Sequence, residues 1–179
     1  YKWLAITRNI DGDEGLYVEA ARLVAQGKNL YVDFFYQQMP ILPYLHAQWM
    51  NVFGFNIFMA RYFSAFLVAI TGGILLWGIS QRAKNLLLVN LLGLVFLSNG
   101  MIIAWAPVVK THPLNALTLT ASCLAILAWR RSFNWVWALV AGLALGVGIN
   151  GRLTLGPFLI LFFFFIIWRG GPRRWRSVF

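Results

Sequence analysis

Beyond residue 56 the chain is a series of long apolar runs with almost no charge inside them. A helix gains about 1.5 Å per residue, so roughly 20 apolar residues carry it across a bilayer. Three runs are read as spans: Ile57 to Ile79, Leu86 to about Ala104 with a break expected near Asn99–Gly100, and about Leu114 to Trp129. Trp135–Ile149 and Leu153–Trp168 are shorter, at 15 and 16 residues. Composition agrees: of 179 residues 60% are hydrophobic and 11% charged, where soluble domains keep about a quarter charged. The reading is an all-α, polytopic transmembrane protein, with an external loop over residues 1–56 and a membrane region of about five spans over 57–179.

The net charge of +10 does not point to nucleic acid. The basic residues fall between apolar runs, as Arg82/Lys84, Arg130/Arg131 and Arg169/Arg173/Arg174/Arg176. The positive-inside rule puts these clusters in the cytoplasm. An even number of crossings then separates the last two, which favours two short helices or a hairpin turning at Asn150–Arg152. Everything before Ile57 lies outside, with the loop Trp105–Leu114. Cys123 sits in an apolar run and reads as a small buried hydrophobe.

The outside segment holds all five acids: Asp11, Asp13, Glu14, Glu19 and Asp33. From Asp11 to Gly27 the spacing predicts a surface helix, with Leu16, Tyr17, Ala20, Ala21 and Val24 on one face and Glu14, Glu19, Arg22 and Gln26 largely opposite. A second short helix is expected from about Pro43 to Val52. Asp11 and Glu14 fit a capping box at the first helix's start, a use that leaves Asp13 over. An EF-hand fails, because Gly15 and Arg22 stand where its fifth and twelfth ligands belong. Arg61, one turn into a span, is costly there unless it is paired or snorkels outward, and a carboxylate of the outer loop is a candidate partner. Gly142, Gly146 and Gly148 suit close helix packing. Carboxylates and the cations Lys110, His112 and Arg152 thus meet on one face beside an apolar wall, a composition suited to holding an anionic lipid head group and taking a proton beside it.

The stretch "DGDEGLYVEAARLVAQGKNLYVDFFYQQMPILPYLHAQWMNVFGFNIFMARYFSAFL" resembles the first external loop and next span of GT-C fold membrane glycosyltransferases. It is most similar to the protein mannosyltransferase and aminoarabinose lipid A transferase group (glycosyltransferase family 39-like). Asp13, Glu14 and Tyr17, the helix-closing Gly27, the aromatic run into Pro40, and Phe53-Gly54 before Ala60-Arg61 carry the likeness. The resemblance implies inverting sugar transfer from a polyprenyl-phosphate donor to a lipid, glycan or protein acceptor, on the outer face of a bacterial inner or plasma membrane. It implies Asp13 as the catalytic carboxylate with Glu14 beside it. Lys110, His112, Arg152, Gln37, Gln38 and Tyr17 are the expected substrate- and phosphate-binding residues. Some members have Glu-Lys where this chain has Gln37-Gln38, so no metal ligand is assigned and a divalent metal is left open. The chain is expected to be a fragment lacking the family's first span. The competing readings are a transporter or channel part with an acidic vestibule, and a non-catalytic scaffold of the same shape.

Overall fold

In a computed structural model, residues 6–7, 9, 11–83 and 85–169 are described, with side chains to 166. Lys84, Arg173, Arg174 and Arg176 lie outside them, as does the side chain of Arg169. The described residues are helical: α1 (Glu14–Ala25), α2 (Ile41–Phe53), α3 (Ile57–Ser80), α4 (Leu86–Ser98), α5 (Gly100–Trp105), α6 (Thr111–Ser132), α7 (Trp135–Gly151), a 3-10 turn (Leu153–Leu155) and α8 (Gly156–Arg169). Two of them, α3 and α6, are long and apolar enough to cross a membrane. The shorter apolar helices α4, α7 and α8 turn large side chains outward, among them Leu87, Leu94, Leu143 and Phe163. Lipid would cover such surface at no hydrophobic penalty.

Asparagine starts four of these helices. The side chains of Asn56, Asn85, Asn99 and Asn134 accept from Met59, Leu87, Met101 and Val136 backbone N–H groups at 2.9, 2.9, 3.0 and 3.0 Å. Each satisfies a donor that helix geometry leaves unpaired. At Asn99 the same residue ends α4 and caps α5, so the break expected near Asn99–Gly100 is present. The α1 helix ends on Gly27, whose φ of 83° is open to glycine. There Lys28 N–H reaches Leu23 O at 3.0 Å and Gly27 N–H reaches Val24 O at 2.9 Å, a Schellman closure.

The apolar helices are held together by α6, which packs on α3 and on α7. Two glycines of α7 make this approach close. A Cβ on Gly148 would meet Thr118 and Leu155, and one on Gly151 would lie 2.8 Å from Asn115 Oδ1. Gly142 and Gly146 have open space instead, so the packing expected of all three small residues belongs to Gly148. The expected turn over Asn150–Arg152 also moves. Helix α7 continues through Gly151, and the chain leaves it at an extended Arg152 with φ −161°.

The surface helices α1 and α2 pack together and lie across the starts of α3 and α6. Tyr17, Ala20 and Ala21 of α1, Leu42 and Met50 of α2, Ala60, Phe63 and Leu67 of α3, Val109 and Leu114 form one buried cluster there. Helices α3 and α6 run away from it, so Arg82, Arg130 and Arg131 stand at the opposite end.

Candidate functional site at the acidic end of the bundle

The turn Asp11–Glu14 is built by its own carboxylates. Asp11 Oδ1 accepts from Asp13 N–H at 3.2 Å, and Glu14 Oε2 accepts from Asp11 N–H at 2.9 Å. The reach of Glu14 back to Asp11 N–H is one half of the capping box expected of Asp11 and Glu14. The other half is replaced, because Asp11 Oδ1 takes Asp13 N–H while Glu14 N–H bonds the Asp11 carbonyl at 3.0 Å, and regular helix starts only at Glu14. Glu14 does more than cap. Its side chain is wholly buried, and Arg61 donates to it through Nε at 3.0 Å and Nη2 at 2.6 Å. Val109 N–H adds a fourth hydrogen bond at 3.0 Å. One carboxylate thus ties α1 to α3 and to the loop before α6. Burial pushes the Glu14 carboxyl up, but the bonds from Arg61, Val109 and Asp11 outweigh it and hold the group below its usual range.

Glu14 therefore lies on the buried face of α1, in line with Tyr17 and Ala21. Its expected place opposite that face is corrected. A carboxylate turns inward when a guanidinium on another helix supplies its charge and donors, and Arg61 does so. The outer-loop partner sought for Arg61 is Glu14.

Asp13 is placed otherwise. Its side chain is 62% exposed, and Lys110 Nζ approaches Oδ2 at 3.0 Å. The same Nζ lies 2.8 Å from Asp11 Oδ1 and 4.8 Å from the Trp105 ring centre. Hydrogen bonding to Asp11 is the main cause of a raised Lys110 pKa; burial opposes it and Asp13 adds to it. Lys110 is thus a fixed cation between two carboxylates over an aromatic face. Tyr17 is adjacent. Burial raises its hydroxyl pKa most and Asp13 raises it further, while Arg152 and Lys110 act against them. The charges of Asp13, Arg152 and Lys110 thus all reach the Tyr17 hydroxyl.

The other expected residues divide between two cavities. His112 packs edge-on against Trp105, with ring centres 5.8 Å apart. It lines an apolar cavity of about 380 Å³ with Val68, Phe96, Met101 and Ile102. Gln37, Gln38 and Arg152 share a second cavity of about 480 Å³ with Tyr31, Tyr36 and Thr154. The structure thus brings Asp13, Tyr17 and Lys110 together, with His112 to one side and Gln37, Gln38 and Arg152 to another. Trp105, Tyr31 and Tyr36 are additions. Trp105 ends α5 a few residues before Lys110 and His112, and that adjacency was the available signal. The tyrosines lay in the aromatic run before Pro40, where nothing in sequence separates a cavity wall from core.

A metal fits poorly. Among the described residues no three His, Cys, Asp or Glu side chains gather as ligands, and Asp11 and Asp13 already share the Lys110 ammonium.

An apolar helical bundle with its carboxylates, paired cations and two cavities at one end defines an integral membrane protein whose polar chemistry is gathered at one end of the bundle. The chain belongs to the dolichyl-phosphate-mannose-protein mannosyltransferase family, which it matches over residues 37–179. That makes it a member of a family of membrane glycosyltransferases. Gln37, Gln38, Lys110, His112 and Arg152 lie in the matched stretch, whereas Asp13, Glu14 and Tyr17 precede it. No curated protein matches the chain, and no solved structure does.

Proposed function

We propose that this chain carries the donor and base sites of a glycosyltransferase that moves a sugar from a polyprenyl-phosphate donor to an acceptor hydroxyl at the external membrane face. The observation that carries the reading is the contrast between neighbouring acids. Glu14 is buried and fully engaged, while Asp13 is mostly exposed and held by one ammonium. In this reading Asp13 takes the acceptor proton as the acceptor oxygen bonds to the anomeric carbon. The bond from that carbon to the phosphate oxygen breaks, its electron pair leaves with the phosphate, and a single displacement inverts the carbon. Arg152 and His112 flank the leaving phosphate, and Lys110 orients Asp13 while adding positive charge. Glu14 acts as a positioning residue, since no part of it is exposed to a substrate. The cavity beside Trp105 and His112 suits the first isoprene units of the donor.

The external side rests on the basic residues Arg82, Arg130 and Arg131 at the far end of the bundle, where the positive-inside rule expects cytoplasm. In the same reading α4 with α5, α7 and α8 complete about five crossings, the last two short.

Asp13→Asn in the full-length protein tests the assignment. A positioned base contributes about 10²–10⁴-fold, so transfer from a polyprenyl-phosphate sugar should fall by at least that lower factor while the donor still binds. Transfer at a near wild-type rate would sink the assignment of Asp13.

A further inference from the structure

The cavity beside Arg152 has features that donor binding leaves unused. Its volume of about 480 Å³ is within the range of small-molecule sites, roughly 300–1,000 Å³. Its lining mixes two aromatic rings, Tyr31 and Tyr36, and the apolar Met39 and Leu153 with the amides of Gln37 and Gln38, the Thr154 hydroxyl and one guanidinium. Tyr36 is buried, and its hydroxyl has no hydrogen-bond partner within the protein, a costly state for a buried donor unless a ligand or water completes it.

Tyr31 is held there against its backbone preference. Its φ is 67°, a region that bulky L-residues rarely enter. Local bonds enforce it: Tyr31 N–H donates to Phe34 O at 3.0 Å, and its hydroxyl donates to Gln38 O at 2.6 Å. The ring is nonetheless 55% exposed, so core packing does not explain the strain. Strain of this kind gathers at ligand sites. Tyr17, Tyr36 and Tyr31 also form a row, with successive ring centres 6.4 Å apart. The row runs from the neighbourhood of Asp13 to the cavity.

We infer that this cavity binds the sugar ring of a carbohydrate acceptor, with the ring's C–H face on Tyr31 and its hydroxyls on Gln37, Gln38 and Thr154. A pyranose presents such a pair of surfaces: a flat face of C–H groups and a rim of hydroxyls. A polyprenyl tail needs an apolar wall, which the cavity at Trp105 offers, and the base must reach the acceptor. The cavity with the more polar lining of the two, joined to Asp13 by the tyrosine row, therefore falls to the acceptor. The acceptor role rests on the proposed transfer reaction; binding of the ring does not.

Saturation-transfer NMR on the full-length protein in nanodiscs tests this, with methyl α-mannoside, methyl α-glucoside and methyl β-galactoside as probes. At least one should receive saturation through its ring protons. Tyr31→Phe keeps the ring and should keep that signal. Tyr31→Asn, which tolerates the positive φ, and Gln38→Ala should each weaken binding at least tenfold. Silence from all three glycosides, or undiminished binding to Tyr31→Asn, overturns the proposal. So does displacement of the glycoside by a Ser/Thr-rich peptide, which would make the site a protein acceptor's. Displacement by dolichyl-phosphate mannose would give the cavity to the donor and overturn it too. The readout needs no turnover, so full activity of Asp13→Asn would remove the base assignment and leave a positive binding result standing.

Discussion

Removing the Arg61 guanidinium would leave the Glu14 carboxylate buried with only backbone donors. Breaking a buried pair from one side typically costs about 3–5 kcal/mol. Arg61→Ala should therefore lower thermal stability sharply, read as a fall in Tm in detergent. Arg61→Leu combined with Glu14→Leu should recover part of the loss, because neither charge is stranded. An equal fall in the double variant would show that the charges themselves are not the cause. His46 sets a second residue-scale expectation. Both its ring nitrogens lack partners, it packs edge-on to Phe63 with ring centres 4.9 Å apart, and burial pushes its pKa down from 6.5 to about 3. The folded value lies below the unfolded one, so the titration of this group adds no cost well above pH 6.5 and destabilises progressively as pH falls from there toward 3. By pH 5 the loss is about 2 kcal/mol. Glu14 adds to it lower down, since its depressed pKa gives stability that is complete above 4.5 and lost as pH falls through the folded value. His46→Leu should move the acid-unfolding midpoint to lower pH and leave stability at pH 8 unchanged or raised, since both ring nitrogens are unpartnered. An unmoved midpoint would show that His46 does not set acid lability.

Among the elements, α7 gives the sharpest contrast, because its glycines differ only in what faces them. Gly148 meets Thr118 and Leu155, while Gly146 meets nothing within 4 Å. Overpacking typically costs about 1–3 kcal/mol, so Gly148→Ala should lower Tm by several degrees and Gly146→Ala should leave it nearly unchanged. Equal effects would mean that the α6–α7 approach does not depend on Gly148. Both glycines have the same neighbours in type along the chain, which is why spacing alone assigned them one role. The helices themselves were legible, since apolar length and turn residues are local signals; Ile57, Leu86 and Trp135 begin α3, α4 and α7 as read. The inward turn of Glu14 was not legible, because its partner is 47 positions away and helical periodicity counts any carboxylate as polar. Lys110 was readable as a cation of the outer loop. Its seat between Asp11 and Asp13 depends on how α1 lies over α6, which no local pattern carries. Gln37, Gln38 and Arg152 were picked out separately, and only the return of α7 to the acidic end of the bundle sets them around one cavity.

At the scale of the whole molecule the fold separates charge by ends. The carboxylates Asp11, Asp13 and Glu14 sit with Lys110 at the end where α3 and α6 begin, and Arg82, Arg130 and Arg131 follow where those helices finish. A 24-residue helix such as α3 is about 36 Å long, enough to hold the two groups on opposite sides of a hydrocarbon core of about 30 Å. Basic residues resist translocation and acids count for little, so insertion should leave Arg82 inside and Asp13 outside. The expectation is testable without any substrate. In a cysteine-free version of the full-length protein, Cys123→Ala included, single cysteines at exposed Lys28 and exposed Gln81 report the two ends. A membrane-impermeant maleimide added to intact cells, or to spheroplasts where an outer membrane intervenes, should label Lys28→Cys at once. It should reach Gln81→Cys only after the membrane is permeabilised. The reverse pattern would put Asp13 on the cytoplasmic side and remove the external-face reaction. Labelling of both without permeabilisation would mean that α3 does not span, and the separation of charge would then need another cause.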